Sequence, residues 1–65
     1  MPIINVSGPS LDAEQKRQMA RGLTDVAAKV DRRPAQQIIV VIQENPPENV
    51  SIGGTLVADR PPDSP

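Results

Sequence analysis

The fold of this chain is decided by the stretch Ile38-Ile39-Val40-Val41-Ile42, an unbroken run of β-branched residues. Residues of this type favour extended strands, because their side chains pack well on a pleated surface. The run shows no alternation of apolar and polar side chains, so both faces of the strand are expected to be covered. We therefore predict a buried strand over these five residues, of the kind found in parallel sheets.

The residues before this run predict a strand, a turn and a long helix. The apolar stretch Ile3–Val6 predicts the strand, and Ser7-Gly8-Pro9-Ser10 predicts the turn. A helix is predicted from Ala13 to about Val30. Asp12 precedes it and Gln15 follows three residues later, which is the spacing of a capping box at a helix start.

The predicted helix is amphipathic. Its apolar positions recur at helical spacing and predict one buried face, formed by Met19, Leu23, Val26, Ala27 and Val30. The helix is expected to end near Asp31, because Arg33 precedes Pro34 and the residue before a proline disfavours helical geometry. Gly22 lies mid-helix at a cost of about 1 kcal/mol against alanine, which suggests close packing or a local weakness.

Two strands joined by one helix predict a βαβ unit of the α/β class, with parallel strands and a right-handed crossover. Residues 50–57 centre on Gly53-Gly54 and predict a hairpin or bent strand. We expect a single domain over residues 1–60 and a disordered, proline-rich tail over residues 61–65. Because the one helix can cover only one face of the sheet, another subunit is expected to cover the other.

Composition excludes several classes of function. The 65 residues contain no cysteine, histidine or aromatic residue and carry a net charge of −1. Disulfides, zinc fingers and thiol or imidazole catalysis are thereby excluded. A metal site made only of carboxylates stays open but has no recognisable spacing, and we expect neither a cofactor nor a metal. The charge and the lack of aromatic residues argue against a nucleic-acid partner. Without a membrane-length apolar run or a recognisable signal peptide, we expect a cytoplasmic protein with no membrane partner.

Pro2 is the candidate catalytic residue. Methionine aminopeptidases readily remove Met1 before a small residue such as proline, and removal would leave a secondary amine at the start of an apolar strand. The ring fixes the position of that amine. Since α-amino groups titrate near pH ~8, such an amine is suited to act as a general base.

These features, in this order and spacing, resemble the 4-oxalocrotonate tautomerase family over residues 2 to about 60. The resemblance rests on Met1-Pro2-Ile3, Glu14-Gln15-Lys16, Pro34 before an aliphatic strand, Glu44 at its end, and Ile52-Gly53-Gly54. It implies a βαβ protomer with a C-terminal hairpin, dimers with a four-stranded sheet, and a hexamer of three dimers. It also implies that Pro2 is the general base that moves a proton in a small enol or 2-oxo acid.

The substrate-contacting positions of the family are not matched. The resemblance places its first arginine at Leu11, or at Pro9 if Gly8 guides the alignment. It places the second arginine at Ile39 and the aromatic wall at Val50. Desolvating a dicarboxylate among aliphatic side chains costs several kcal/mol, so a less charged substrate is expected.

Three functions remain open from the sequence. The first is a homo-oligomeric tautomerase or isomerase with Pro2 as base. The second is a β-type subunit of a hetero-oligomer, because residues 44–52 resemble the β chain of relatives such as trans-3-chloroacrylic acid dehalogenase. The third is a family member without catalysis. Cations from a neighbouring subunit (Arg32, Arg33 or Arg60) or acids (Glu44 or Glu48) are candidate additions to the site, each with a surface role as the alternative.

Overall fold

The computed structural model describes residues 1–61 and shows a βαβ unit followed by a small hairpin. The elements are β1 (Ile3–Gly8), α1 (Ala13–Asp31), β2 (Ile39–Glu44), β3 (Ser51–Ile52) and β4 (Thr55–Leu56). Short 3₁₀ turns occupy Ala35–Gln37, Pro47–Asn49 and Val57–Asp59. The predicted fold class is therefore confirmed. The tail expected to be disordered lies outside the described residues from position 62 onward.

β1 and β2 form a parallel pair, as the apolar run predicts. Their register runs from Ile3 opposite Ile39 to Gly8 opposite Glu44. The amide of Ile39 donates to the Pro2 carbonyl at 3.1 Å, and the amide of Asn45 donates to the Gly8 carbonyl at 2.8 Å. Because main-chain groups alternate in direction along a strand, the odd-numbered residues of β1 direct theirs to its other edge. Within residues 1–61 no strand pairs with that edge.

The helix begins at the predicted capping box. The Asp12 carboxylate accepts a hydrogen bond from the Gln15 amide at 2.8 Å, and the Gln15 side chain accepts one from the Asp12 amide at 3.0 Å. The helix ends before Pro34, as predicted, with Arg32 in the left-handed conformation at φ 55°. A left-handed cap is most often a glycine, so the sequence gives no sign of it at an arginine.

The predicted apolar face of α1 is only partly correct. Met19, Leu23 and Ala27 are half-buried, whereas Val26 is 62% exposed and Val30 is 75% exposed. At about 100° per residue, Val26 lies about 100° around the helix from Ala27, on the side away from the sheet. A two-stranded sheet is narrow, so it covers a narrower stripe of the helix than the periodicity suggests.

Both strand boundaries differ from the predictions. Ser7 and Gly8 belong to β1 and not to a turn, because they continue the ladder opposite Gln43 and Glu44. Ile38 lies outside β2, since its amide closes the preceding 3₁₀ turn on the Ala35 carbonyl at 3.0 Å. At Ser7 and Gly8, pairing with β2 overrides the local preference for a turn, whereas at Ile38 a local turn overrides the preference for a strand.

The core within one chain is very small. Ile38, 9% exposed, is the one apolar residue classed as buried in the described part of the chain. Alternate residues of β1, including Ile4 and Val6, are half-buried on one face of the sheet. On the opposite face, Ile3 is 59% exposed and Val41 is 45% exposed. The second face of the apolar strand is thus uncovered in the single chain.

The hairpin forms at the glycine pair, as predicted. β3 and β4 pair antiparallel, and the two residues between them, Gly53 and Gly54, have φ values of 61° and 88°. Positive φ at both central positions is the geometry of a type I′ turn, which matches the twist of the flanking strands.

Candidate active site

Pro2 is held at the start of β1. The residue is half-buried, and its carbonyl accepts the 3.1 Å hydrogen bond from the Ile39 amide. Met1, in contrast, is 81% exposed. A chain that begins at Pro2 would therefore keep its first residue fixed to the sheet by the Pro2 carbonyl and the proline ring.

The four candidate site residues do not converge within one chain. Ile39 pairs with Ile3 and lies beside Pro2. Leu11 and Val50 lie at the opposite end of the sheet, where Leu11 follows β1 and Val50 follows the turn after β2. The six residues of β1 separate these ends by about 20 Å. One chain therefore holds the candidate residues in two groups, one at each end of the sheet.

The end of the sheet near Val50 contains an open groove of about 440 Å³, which we call the distal groove. Its apolar walls are formed by Pro9, Pro47, Val50 and Val57. Ser7, Gly8 and Asn45 complete its lining. An apolar depression with a few convergent polar groups is the usual form of a small-molecule site.

At the same end of the sheet, the Glu44 carboxylate links β2 to the segment before α1 and to the first turns of α1. One carboxylate oxygen accepts a hydrogen bond from the Lys16 ammonium at 2.7 Å, and the other accepts one from the Leu11 amide at 3.0 Å. The Lys16 hydrogen bond, followed by the Leu11 amide, lowers the pKa of the Glu44 carboxyl. An ionised carboxylate with both oxygens engaged is a poor proton donor, so this geometry favours a positioning role. We call this arrangement the Glu44 clasp.

The candidate cations divide between the two ends. Arg32 and Arg33 follow α1 at the Pro2 end, and the Arg33 guanidinium donates to the Gln37 side chain at 3.4 Å. Arg60 lies at the other end, where its amide donates to the Val57 carbonyl at 3.1 Å.

Residues 1–61 form neither a recognisable metal site nor a membrane-spanning helix. Residues 1–61 contain no cluster of three or more acidic side chains arranged to hold a metal ion. Over the same range, no helix has both the length and the apolar character required to cross a bilayer.

Comparison with known families decides the relationship of the chain. Residues 2–60 match the family model described as tautomerase enzyme. The chain belongs to the tautomerase family. Many similar structures are 4-oxalocrotonate tautomerase homologues, and the resemblance seen in the sequence is thereby confirmed. No curated protein matches the chain significantly.

Several solved structures are similar to this chain in both fold and sequence. DmpI from Archaeoglobus fulgidus is 43% identical, with a TM-score of 0.83, over 89% of this chain and 100% of the relative. DmpI from Helicobacter pylori is 31% identical, with a TM-score of 0.78, over 88% and 97%. A heterohexamer 4-oxalocrotonate tautomerase from Chloroflexus aurantiacus is 29% identical, with a TM-score of 0.77, over 91% and 95%.

Sequence reasoning missed the polar groups of the distal groove. The sequence predicts a turn at Ser7, and no motif marks Ser7 or Asn45 as a site residue. The signal lies in the strand register, because pairing Ser7 with Gln43 brings Asn45 close to Ser7. The register cannot be derived from the sequence until the length of β1 is known.

Proposed function

We propose that this protein is a tautomerase whose general base is the amine of Pro2, exposed when Met1 is removed. The observation that carries the proposal is the position of Pro2 at the half-buried start of β1, where its carbonyl is bound to Ile39. Membership of the tautomerase family supports it. In the reaction, the amine removes a proton from a small enol and returns it to a carbon, giving the ketone.

We propose that the active site forms between copies of the chain. Pro2 and Ile39 lie about 20 Å from Leu11 and Val50, so the site positions can meet only if a second copy supplies the distal half. The unpaired edge of β1 is suited to antiparallel pairing with another β1, which would place Pro2 of one copy near the distal end of its partner. A homohexamer is the assembly we propose.

The substrate we propose is a small enol or 2-oxo acid with one carboxylate or none beyond the reacting group. Leu11, Ile39 and Val50 are aliphatic where the family pattern has two arginines and an aromatic residue. Without a cation to pair with, a second carboxylate would lose its hydration and gain no ion pair to compensate for that loss. An aryl or alkyl substituent would instead be favoured by apolar contact.

A second candidate is a β-type subunit of a hetero-oligomeric enzyme. The similarity to the Chloroflexus aurantiacus heterohexamer favours it, because a partner chain would explain the missing arginines. The two candidates differ in one property, since only the homo-oligomer is active without another chain.

The test of this proposal compares two forms of the purified chain, one starting at Pro2 and one retaining Met1. The intact mass of each form shows whether Met1 is present. In the second form the Pro2 nitrogen is a tertiary amide and cannot accept a proton, although every side chain is unchanged. We expect ketonisation of phenylenolpyruvate by the first form only. Equal activity of the two forms would refute Pro2 as the base, and inactivity of both would favour the hetero-oligomer.

A further inference from the structure

The distal groove contains almost no free main-chain donors. Pro9 and Pro47 have no amide proton. The amides of the other groove residues beyond β1 are engaged, with Asn45 bound to the Gly8 carbonyl at 2.8 Å, Val50 to Pro47 at 3.4 Å and Val57 to Val50 at 2.8 Å. The exception is the Ser7 amide, which faces the β1 edge that we propose to pair with a second copy. Away from that edge, a ligand oxygen in this groove must find its hydrogen bonds on side chains.

The side chains of Gln43, Asn45 and Ser7 form a chain of hydrogen bonds in which each residue donates to the next, and we call it the relay. The Gln43 amide donates to the Asn45 oxygen at 3.2 Å, and the Asn45 amide donates to the Ser7 hydroxyl oxygen at 2.7 Å. A serine hydroxyl has one proton to donate besides accepting on its oxygen. Because its oxygen already accepts from Asn45, the Ser7 hydroxyl proton is left for a partner in the groove, and the relay polarises it as a donor.

The Ser7 end of the relay lies beside the apolar walls of the distal groove. Ser7, Asn45 and the side walls from Pro9, Val50 and Val57 line the same depression. The groove is uncharged, since none of its lining residues is ionisable. It therefore offers a neutral donor beside an apolar surface, which fits a molecule with one oxygen acceptor and one apolar substituent.

We propose that Ser7, oriented by Asn45, binds the carboxylate or 2-oxo oxygen of the substrate in the distal groove. This inference rests on the proposed function, because the Pro2 amine that acts on the bound molecule must come from a neighbouring copy. The Ser7 hydroxyl supplies part of the anchoring that the family pattern assigns to arginine. The apolar substituent lies against Val50 and Val57.

The test combines kinetics with binding. Ser7→Ala should lower kcat/KM for phenylenolpyruvate about tenfold, the size expected for one hydrogen bond, mainly through KM. Ser7→Thr keeps the hydroxyl and should restore most of the loss. Asn45→Leu should act in the same direction as Ser7→Ala, because it removes the group that orients the Ser7 hydroxyl. The double variant should lose little more than Ser7→Ala, since both substitutions act through that hydroxyl.

Ser51→Ala is the matched control, because Ser51 is an exposed serine of the hairpin outside the groove. Native mass must equal that of wild type for each variant, which separates a loss of binding from a loss of assembly. Unchanged KM for Ser7→Ala at unchanged native mass would overturn the inference. An equal effect of Ser51→Ala would do the same.

A binding measurement separates this inference from the proposed function. Titration of 3-phenylpropionate, followed by amide shifts in Pro2→Ala protein, reports on the groove without catalysis. Shifts at Gly8, Asn45 and Val50 that Ser7→Ala weakens would support the groove even if Pro2 proved not to be the base. Turnover that requires Pro2 but is insensitive to Ser7→Ala would leave the proposed function intact and reject the groove.

Discussion

Ile39→Arg should shift the substrate preference of the protein from monoacids toward dicarboxylates. Ile39 is half-buried at the start of β2 and is bound through its amide to Pro2 at 3.1 Å. Its neighbours on the uncovered sheet face, Ile3 and Val41, are 59% and 45% exposed, so a guanidinium has room beside Pro2 in the single chain. The substitution also places an arginine where the family pattern has one.

The size of the effect follows from the new contact. A hydrogen bond to a charged group contributes about 1.5–3 kcal/mol, and about 1.4 kcal/mol corresponds to a factor of ten. Because the face around Ile39 is partly open, solvent screening places the expected gain nearer the lower end. We expect kcat/KM for 2-hydroxymuconate to rise about tenfold, and at most about a hundredfold, relative to phenylenolpyruvate.

The assay measures both substrates on wild type, Ile39→Arg and the control Val26→Arg, each at a native mass equal to that of wild type. Val26 is 62% exposed on the outer side of α1, so its guanidinium adds the same charge away from the sheet face that holds Ile39. The control should therefore give no gain. A wild-type preference for the dicarboxylate would refute the reasoning, because it would require a cation in the site. Equal gains from the two variants would show a general charge effect rather than a contact.

Three further predictions concern assembly and stability. Val41→Asp should reduce the native mass by placing a charge on the uncovered sheet face, whereas Val26→Asp, on the outer side of α1, should not; an unchanged mass for Val41→Asp would contradict the proposed interface. Gly22→Ala should raise the free energy of unfolding by about 1 kcal/mol and Tm by about 4–8 °C, because no atom lies within 4 Å of the added carbon; a lower Tm would mean that Gly22 packs against another copy. Since Lys16 lowers the pKa of Glu44, the clasp should stabilise the fold at neutral pH and weaken as pH falls from the ordinary glutamate range through the lowered value, so denaturant titrations should show Glu44→Gln less stable than wild type at neutral pH and nearly equal in acid; a pH-independent difference would exclude the ionised clasp.

The parts of the fold that depend on local chemistry were predictable from the sequence. The capping box at Asp12 and Gln15 involves groups three residues apart, and the turn at Gly53-Gly54 depends on two residues that tolerate positive φ. The parallel strand pair followed from the apolar run and the intervening helix. These features need little information from distant parts of the chain.

The features that depend on distant contacts were not predictable in the same way. Ser7 and Gly8 have turn-forming character, yet β2 draws them into the ladder. The exposure of Val26 and Val30 depends on the width of the sheet, which periodicity does not contain. Pro2 was identifiable as a candidate from its position before an apolar strand and from the family resemblance. The Ser7–Asn45 hydrogen bond required the register and the path of the chain after β2.

The measurement that tests the account most directly is the steady-state rate of enol ketonisation by Met1-free wild type and Pro2→Ala. The substitution replaces a ring-fixed secondary amine with a mobile primary amine and leaves the strand that follows unchanged. Because general base catalysis contributes roughly 10²–10⁴-fold, kcat/KM should fall by one to several orders of magnitude at unchanged native mass. Equal turnover of phenylenolpyruvate by the two proteins would contradict the central claim that the Pro2 amine is the base.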